Sequence, residues 1–229
     1  MYPELLSFIK EHYNILLYLV TWIIAVARYR RYFDTVLGFF PIFIMYTFLT
    51  ELLGYFVKFQ EGFQFFSDDQ YAWHNVIIYN IYSLVSFSFF FFIYWKTLKT
   101  PKFKVIVKTG AAVSLAAYIV SAFFQNPFHI NLYYADLVAS MALLVFIVLY
   151  FKEKQKESSP YPMKQNLLFW VSLGLALFHL FFPLIFVAAY EAPAFYSQFQ
   201  LHKLLMFLIV AMYSLFIVGF LISKRRAFR

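Results

Sequence analysis

The chain has 229 residues, of which 63% are hydrophobic, 24% aromatic and only 13% charged. A water-soluble domain carries about 25% charged residues and has no interior large enough for such an apolar surplus, so the composition points to an integral membrane protein. The formal charge of +8 does not indicate a nucleic-acid partner, because nearly all Lys and Arg lie in short connectors beside apolar runs, where membrane topology accounts for them.

No Cys is present, which excludes disulfides, thiolate metal sites and thiol catalysis. Residues 1–12 hold two acids and one Lys, with neither a basic leader region nor a small-residue cleavage site, so no removable signal peptide is expected. The first apolar span is expected at about 13–29, ending in Arg28, Arg30 and Arg31. The second, at about 32–57, is long enough to cross a bilayer yet holds Glu51 well inside its far half. An ionisable group at that depth costs about 2–3 kcal/mol or more unless it faces protein or a wet cavity. Thr47, Gly54 and Tyr55 fall on the face of Glu51 by helical spacing, and Pro41 upstream predicts a bend.

The third span, about 73–94, places Asn75, Tyr79, Tyr82, Ser83 and Ser86 on one face, and its Phe run at 89–92 reads as a lipid-facing end. The fourth, about 105–124, repeats small residues at Gly110, Ser114, Ala117 and Ser121, a stripe that lets another backbone approach closely. The fifth, about 132–151, carries Asp136 and Ser140 near its start. The sixth, about 167–190, contains Ser172, His179 and Pro183, and the seventh, about 201–223, opens with His202 and Lys203. Each run approaches the ~20 residues that a spanning helix needs. The expected fold is an all-α membrane protein, a single bundle of seven transmembrane helices forming one domain.

Lys and Arg sort strongly by side. Sixteen of the nineteen fall on the 1/2, 3/4 and 5/6 connectors and the tail, against Lys10, Lys58 and Lys203 opposite. The positive-inside rule then places the N-terminus outside and the C-terminus in the cytoplasm. With that orientation Glu51, Tyr79, Asn80 and Asp136 lie in the outer half, His179 near mid-membrane and His202 at the outer mouth. The inner half is almost wholly apolar, an asymmetry that predicts a polar cavity opening outward. The candidate ligand-binding residues are Glu51, Tyr55, Tyr79, Asn80, Asp136, His179 and His202. Each also has a structural reading: Glu51 and His179 as interhelical glue, Asp136 as a helix cap or interface residue, and Tyr13, Trp73, Tyr133 and Tyr190 as interfacial anchors.

Of the five His, at 12, 74, 129, 179 and 202, no two are spaced as a metal-binding pair and no HExxH occurs, so no metal site is expected. Lys203 lies about a turn from the outer end, which is too shallow for a retinal Schiff base. Neither a Gly-rich phosphate loop nor a GxSxG elbow occurs, and no cofactor is expected.

The stretches Thr50–Tyr55, Tyr79–Tyr82 and Phe169–Gly174, with Gly219 and Phe220, resemble an uncharacterised family of small seven-helix membrane proteins of Bacteroidota. The resemblance spans the chain and implies a bacterial inner-membrane location and seven helices. Such sequences often carry a Glu late in helix 3 where this chain has Ser86, a departure that weakens any mechanism needing a second buried carboxylate. The family offers no established activity to carry over.

The leading expectation is a receptor-like or sensory protein that binds a small or lipid-like ligand in the outward cavity and acts through a cytoplasmic partner. An intramembrane lipid-modifying enzyme with Glu51 and His179 as acid/base pair is the alternative, and a structural subunit the third reading. The enzyme needs that pair water-accessible and within hydrogen-bond reach.

Overall fold

The computed structural model describes residues 13–68, 71, 74–157 and 161–225. Residues 1–12 with Lys10 and His12, Asp69 of the 2/3 connector, Trp73 at the expected start of the third span, and Arg226 and Arg229 of the tail lie outside the described residues. Among the described residues the chain forms α1 (Tyr13–Ala27), α2 (Phe40–Phe59), α3 (Val76–Thr97), α4 (Pro101–Phe124), α5 (Tyr133–Lys156), α6 (Leu167–Glu191), the short α7 (Pro193–Gln198) and α8 (Leu201–Ile222), and no strand. Six helices, α2 to α6 and α8, are long and apolar enough to cross a membrane, whereas α1 has 15 residues. This is the architecture of an all-helical, multi-pass membrane protein.

Local chemistry sets the helix ends. Thr35 caps the 3-10 turn Val36–Phe39 that leads into α2, its hydroxyl accepting from the Leu37 N–H at 3.2 Å. The Asn166 side chain does the same for Leu168 N–H at the start of α6, at 2.9 Å. Pro41 does not act as the interior bend expected for it. It sits in the first turn of α2, where the N–H it lacks would have no intrahelical partner. The interior proline is Pro183 in α6, which offers no N–H to the carbonyl of His179 one turn earlier.

Helices adjacent in sequence are adjacent in space, the ring closes by α8 packing on α1, and α3 crosses the middle to reach α5. At the basic end the interior is filled by aromatic rings. Phe43 and Phe89 stack with centroids 4.6 Å apart, and Phe40 meets Phe216 edge-on at 5.3 Å. The expected lipid-facing end of α3 is therefore mostly core: Phe90 and Phe91 are buried and only Phe92 of that run is exposed. The face of α3 that carries Phe87, Phe90 and Phe91 packs against its neighbours while Ile81, Leu84, Val85 and Phe92 are exposed, so a greasy run does not by itself report lipid. The same half also holds a polar pair unforeseen in the sequence, Tyr94 and Ser172, whose hydroxyls are 2.8 Å apart and buried.

The small-residue stripe of α4 behaves as a seam. Ser114 and Ser121 are buried, and a Cβ added at Gly110 would stand 2.6 Å from Phe146 of α5. Gly110→Leu is therefore expected to cost about 1–3 kcal/mol or more by overpacking, read as a lower melting temperature in detergent. An unchanged melting temperature would place that face against lipid instead.

The connectors assemble at two ends. At one, Arg225 pairs with Asp34 at 2.8 Å, Arg31 donates to the carbonyls of Leu221 and Ser223, and Lys99 pairs with Glu157 at 2.8 Å. The 1/2, 3/4 and 5/6 connectors and the tail thus share one end, as their charge suggested. At the other, Asn131 meets the Tyr190 hydroxyl at 2.8 Å, Tyr133 stacks on Tyr190 at 4.8 Å, and Tyr133 and Tyr134 both donate to Glu191. Tyr133 and Tyr190 therefore brace helix ends against each other.

Candidate functional site

Between α1, α2, α3, α5, α6 and α8 lies a cavity of about 380 Å³. Its lining reaches Asn14, Asn75 and Asn131, which stand at the starts of α1, α3 and α5, all at the end opposite the basic connectors. Phe43, Phe90 and Phe216 line it toward the basic end.

Glu51 stands in its wall. The Tyr79 hydroxyl donates to Glu51 Oε2 at 3.3 Å, a long bond for this donor type. A carboxyl has acceptor capacity for about four hydrogen bonds, and Tyr79 uses one of these. Gly54 makes the approach of Tyr79 possible, since a Cβ there would lie 2.6 Å from the Tyr79 oxygen. One turn above, the Asn75 amide donates to the Gly54 carbonyl at 2.9 Å, which fixes α2 against the entry to α3. One turn below, Thr47 and Tyr82 are joined at 3.2 Å, with the Tyr213 hydroxyl of α8 beside them. The polar face read from α3 is thus real: Asn75, Tyr79, Tyr82, Ser83 and Ser86 all line the cavity.

On the opposite wall are Asp136 and His179, both buried. Tyr118 of α4 donates to Asp136 Oδ1 at 2.5 Å, with Ser83 beside the same carboxyl. Asp136 makes no cap bond to its own helix, so it works as a bridge from α5 to α4 and α3. It also supplies a second buried carboxyl, the feature that Ser86 in place of Glu put in doubt. His179 Nδ1 lies 3.0 Å from Ser140 Oγ and is walled by the rings of Phe87, Phe178 and Phe182. Glu51 and His179 do not pair, each holding a different hydroxyl partner on a different helix.

Three expected site residues are elsewhere. Asn80 is buried, but its amide donates to the carbonyls of Pro127 and Ile130, at 2.7 and 3.0 Å, and its oxygen accepts from Leu132 N–H at 3.0 Å. It holds the α4/α5 connector and does not line the cavity. Tyr55 packs its ring on Phe56 and Phe59 outside the cavity. At about 100° per residue, Thr47 and Gly54 trail Glu51 by about 40° and 60° while Tyr55 leads it by about 40°, and the cavity is on the trailing side. His202 is exposed in the first turn of α8 and does not line it either.

Residues that the sequence reading passed over complete the wall: Asn14 and Tyr18 from α1, and Met206 and Tyr213 from α8. The Asn14 amide donates to Met206 Sδ at 3.0 Å, and the Tyr18 and Tyr213 rings meet edge-on at 4.6 Å. The available signal was Tyr18 and Tyr213 inside their apolar spans, each with a hydroxyl that hydrocarbon would not solvate. Among the described residues no group of three metal-ligating side chains occurs. At the end opposite the basic connectors, His74 and His129 lie 3.3 Å apart through Nδ1, with burial and the neighbouring ring holding His74 below the ordinary imidazole range.

The fold and cavity define a multi-pass, all-helical membrane protein with an internal polar pocket. Comparison with protein-family models, curated proteins and solved structures finds no match.

Proposed function

We propose that the protein is a receptor-like, seven-helix membrane protein that binds a small amphiphilic ligand through Glu51 and acts through a cytoplasmic partner. The observation that carries this reading is the wall composition: Glu51 and Asp136 line the cavity with no Lys or Arg among the lining residues. Asp136 is engaged by Tyr118, whereas Glu51 holds one long hydrogen bond. The ligand chemistry that complements such a wall is an ammonium or another donor-rich head at Glu51, with an apolar body against Phe182, Met206 and Met212. The volume falls in the range of small-ligand sites, about 300–1,000 Å³. A Glu51–His179 enzyme is disfavoured, because the two groups are separately paired.

The test is a thermal-shift panel on the purified protein in detergent with an alkylammonium, an alkanol and an alkanoate of equal chain length. The ammonium is expected to raise the melting temperature and the alkanoate to leave it unchanged. Equal or greater stabilisation by the alkanoate would overturn the reading.

The seventh span in this proposal is α1. Asn14 contacts Met206 near one end of α8 and Arg31, just past α1, contacts Leu221 near the other, so the segment follows α8 through most of its depth. The proposed orientation has the basic end in the cytoplasm, and the resemblance to the Bacteroidota family suggests a bacterial inner membrane. A reporter fused after Arg229 is expected to behave as cytoplasmic and one inserted in the 58–72 connector as external. The reverse at either position would sink the orientation.

A further inference from the structure

On the outside of the bundle, a second groove of about 350 Å³ runs between α3 and α4. Its walls are apolar, including Leu84, Phe91 and Phe92 from α3 and Ala111 and Leu115 from α4, and several of these side chains are exposed. Unlike the central cavity, this groove has a basic end. Lys96, Lys104 and Lys108 each bring Nζ to between 5.4 and 5.8 Å of the Trp95 ring.

These three ammonium groups are uncompensated. Lys99 and Lys154 share Glu157, while Lys96, Lys104 and Lys108 have no ion pair among the described residues. Three like charges gathered on one indole repel each other, and the cation–π contacts offset this by only about 0.5–1 kcal/mol each at exposed sites. Trp95 adds a second observation. Its side chain lines the groove, so the apolar wall and the three ammonium groups meet at one residue.

From Trp95 back to Leu84 the groove follows α3 for about 16 Å at 1.5 Å per residue. It is therefore charged where the helices end and apolar toward mid-bundle. We infer that this groove binds an anionic phospholipid, with its phosphate held by Lys96, Lys104 and Lys108 and one acyl chain lying between α3 and α4. A zwitterionic lipid carries the same phosphate but brings its own cation, so it gains less from three ammonium groups. The inference is independent of what occupies the central cavity.

The test uses the full chain reconstituted in phosphatidylcholine vesicles containing a small fraction of lipid brominated on its acyl chains, which quenches nearby tryptophan fluorescence. Brominated phosphatidylglycerol is expected to quench more than brominated phosphatidylcholine at the same mole fraction. Trp95→Phe should remove that excess. Lys104→Gln combined with Lys108→Gln should weaken the preference about tenfold or more, as loss of about 1 kcal/mol per basic residue at a membrane surface implies. Lys104→Arg with Lys108→Arg should retain it, which separates charge from any effect on folding. Equal quenching by the two lipids overturns the proposal. So does an excess that survives in Trp95→Phe, which would place the preferred lipid elsewhere.

Discussion

Glu51→Gln is expected to leave the bundle folded and to weaken binding of an alkylammonium ligand at least tenfold. Glutamine has nearly the same shape, and its carbonyl oxygen can still accept from the Tyr79 hydroxyl that now lies 3.3 Å from Oε2. The melting temperature without ligand should therefore move by the equivalent of about 1 kcal/mol or less, the net worth of one such hydrogen bond. What glutamine cannot do is present a carboxylate to a cation. Losing one partner of a buried charge pair costs about 2–5 kcal/mol of binding, enough to erase the ligand-induced shift. His202→Gln serves as the control, since that side chain is exposed outside the cavity, and should bind as the wild type does. A Glu51→Gln protein that still responds fully to the ammonium would end the ligand reading. One that no longer folds would make Glu51 interhelical glue.

Asn80→Ala has the opposite expected signature, a large loss of stability with the cavity chemistry intact. Its amide and oxygen together satisfy the carbonyls of Pro127 and Ile130 and the N–H of Leu132. Removing the side chain strands three backbone groups around a buried position, each at about 1–3 kcal/mol, so a total of about 3 kcal/mol or more is expected. Tyr79→Phe, one residue earlier, removes a single hydroxyl and should cost only about 0.5–1.5 kcal/mol. Comparing the two melting temperatures in the same detergent checks the assignment. If Asn80→Ala were no less stable than Tyr79→Phe, the α4/α5 connector would not depend on Asn80.

Much of the scaffold was legible in the residues because membrane helices are specified locally. Length and apolarity located the six long helices, including the 22 residues of α8, although α2 starts at Phe40 and not at the expected residue 32. The gathering of Arg31, Lys99, Glu157 and Arg225 at one end follows from alternating helix direction once the spans are counted. The wet face of α3 was legible too, because Asn75, Tyr79, Tyr82, Ser83 and Ser86 keep one helical phase. That Glu51 needs a partner, and that Tyr79 and His179 share its cavity, followed from the scarcity of polar groups at that depth.

Tertiary structure decided how each helix is rotated about its own axis, and that rotation is set by packing against neighbours that the local sequence does not encode. It turns Thr47 and Gly54 toward the cavity and Tyr55 away from it. It sends Asn80 into a connector while adjacent Tyr79 faces Glu51. It also makes most of the Phe run of α3 core, because the face carrying Phe90 and Phe91 is turned to its neighbours and only Phe92 outward. Tyr18 and Tyr213 were invisible as a pair for the same reason: they are far apart in sequence and meet only because α8 closes the ring on α1. A helix's periodicity fixes which of its residues share a face, but only the assembled neighbours determine what that face meets.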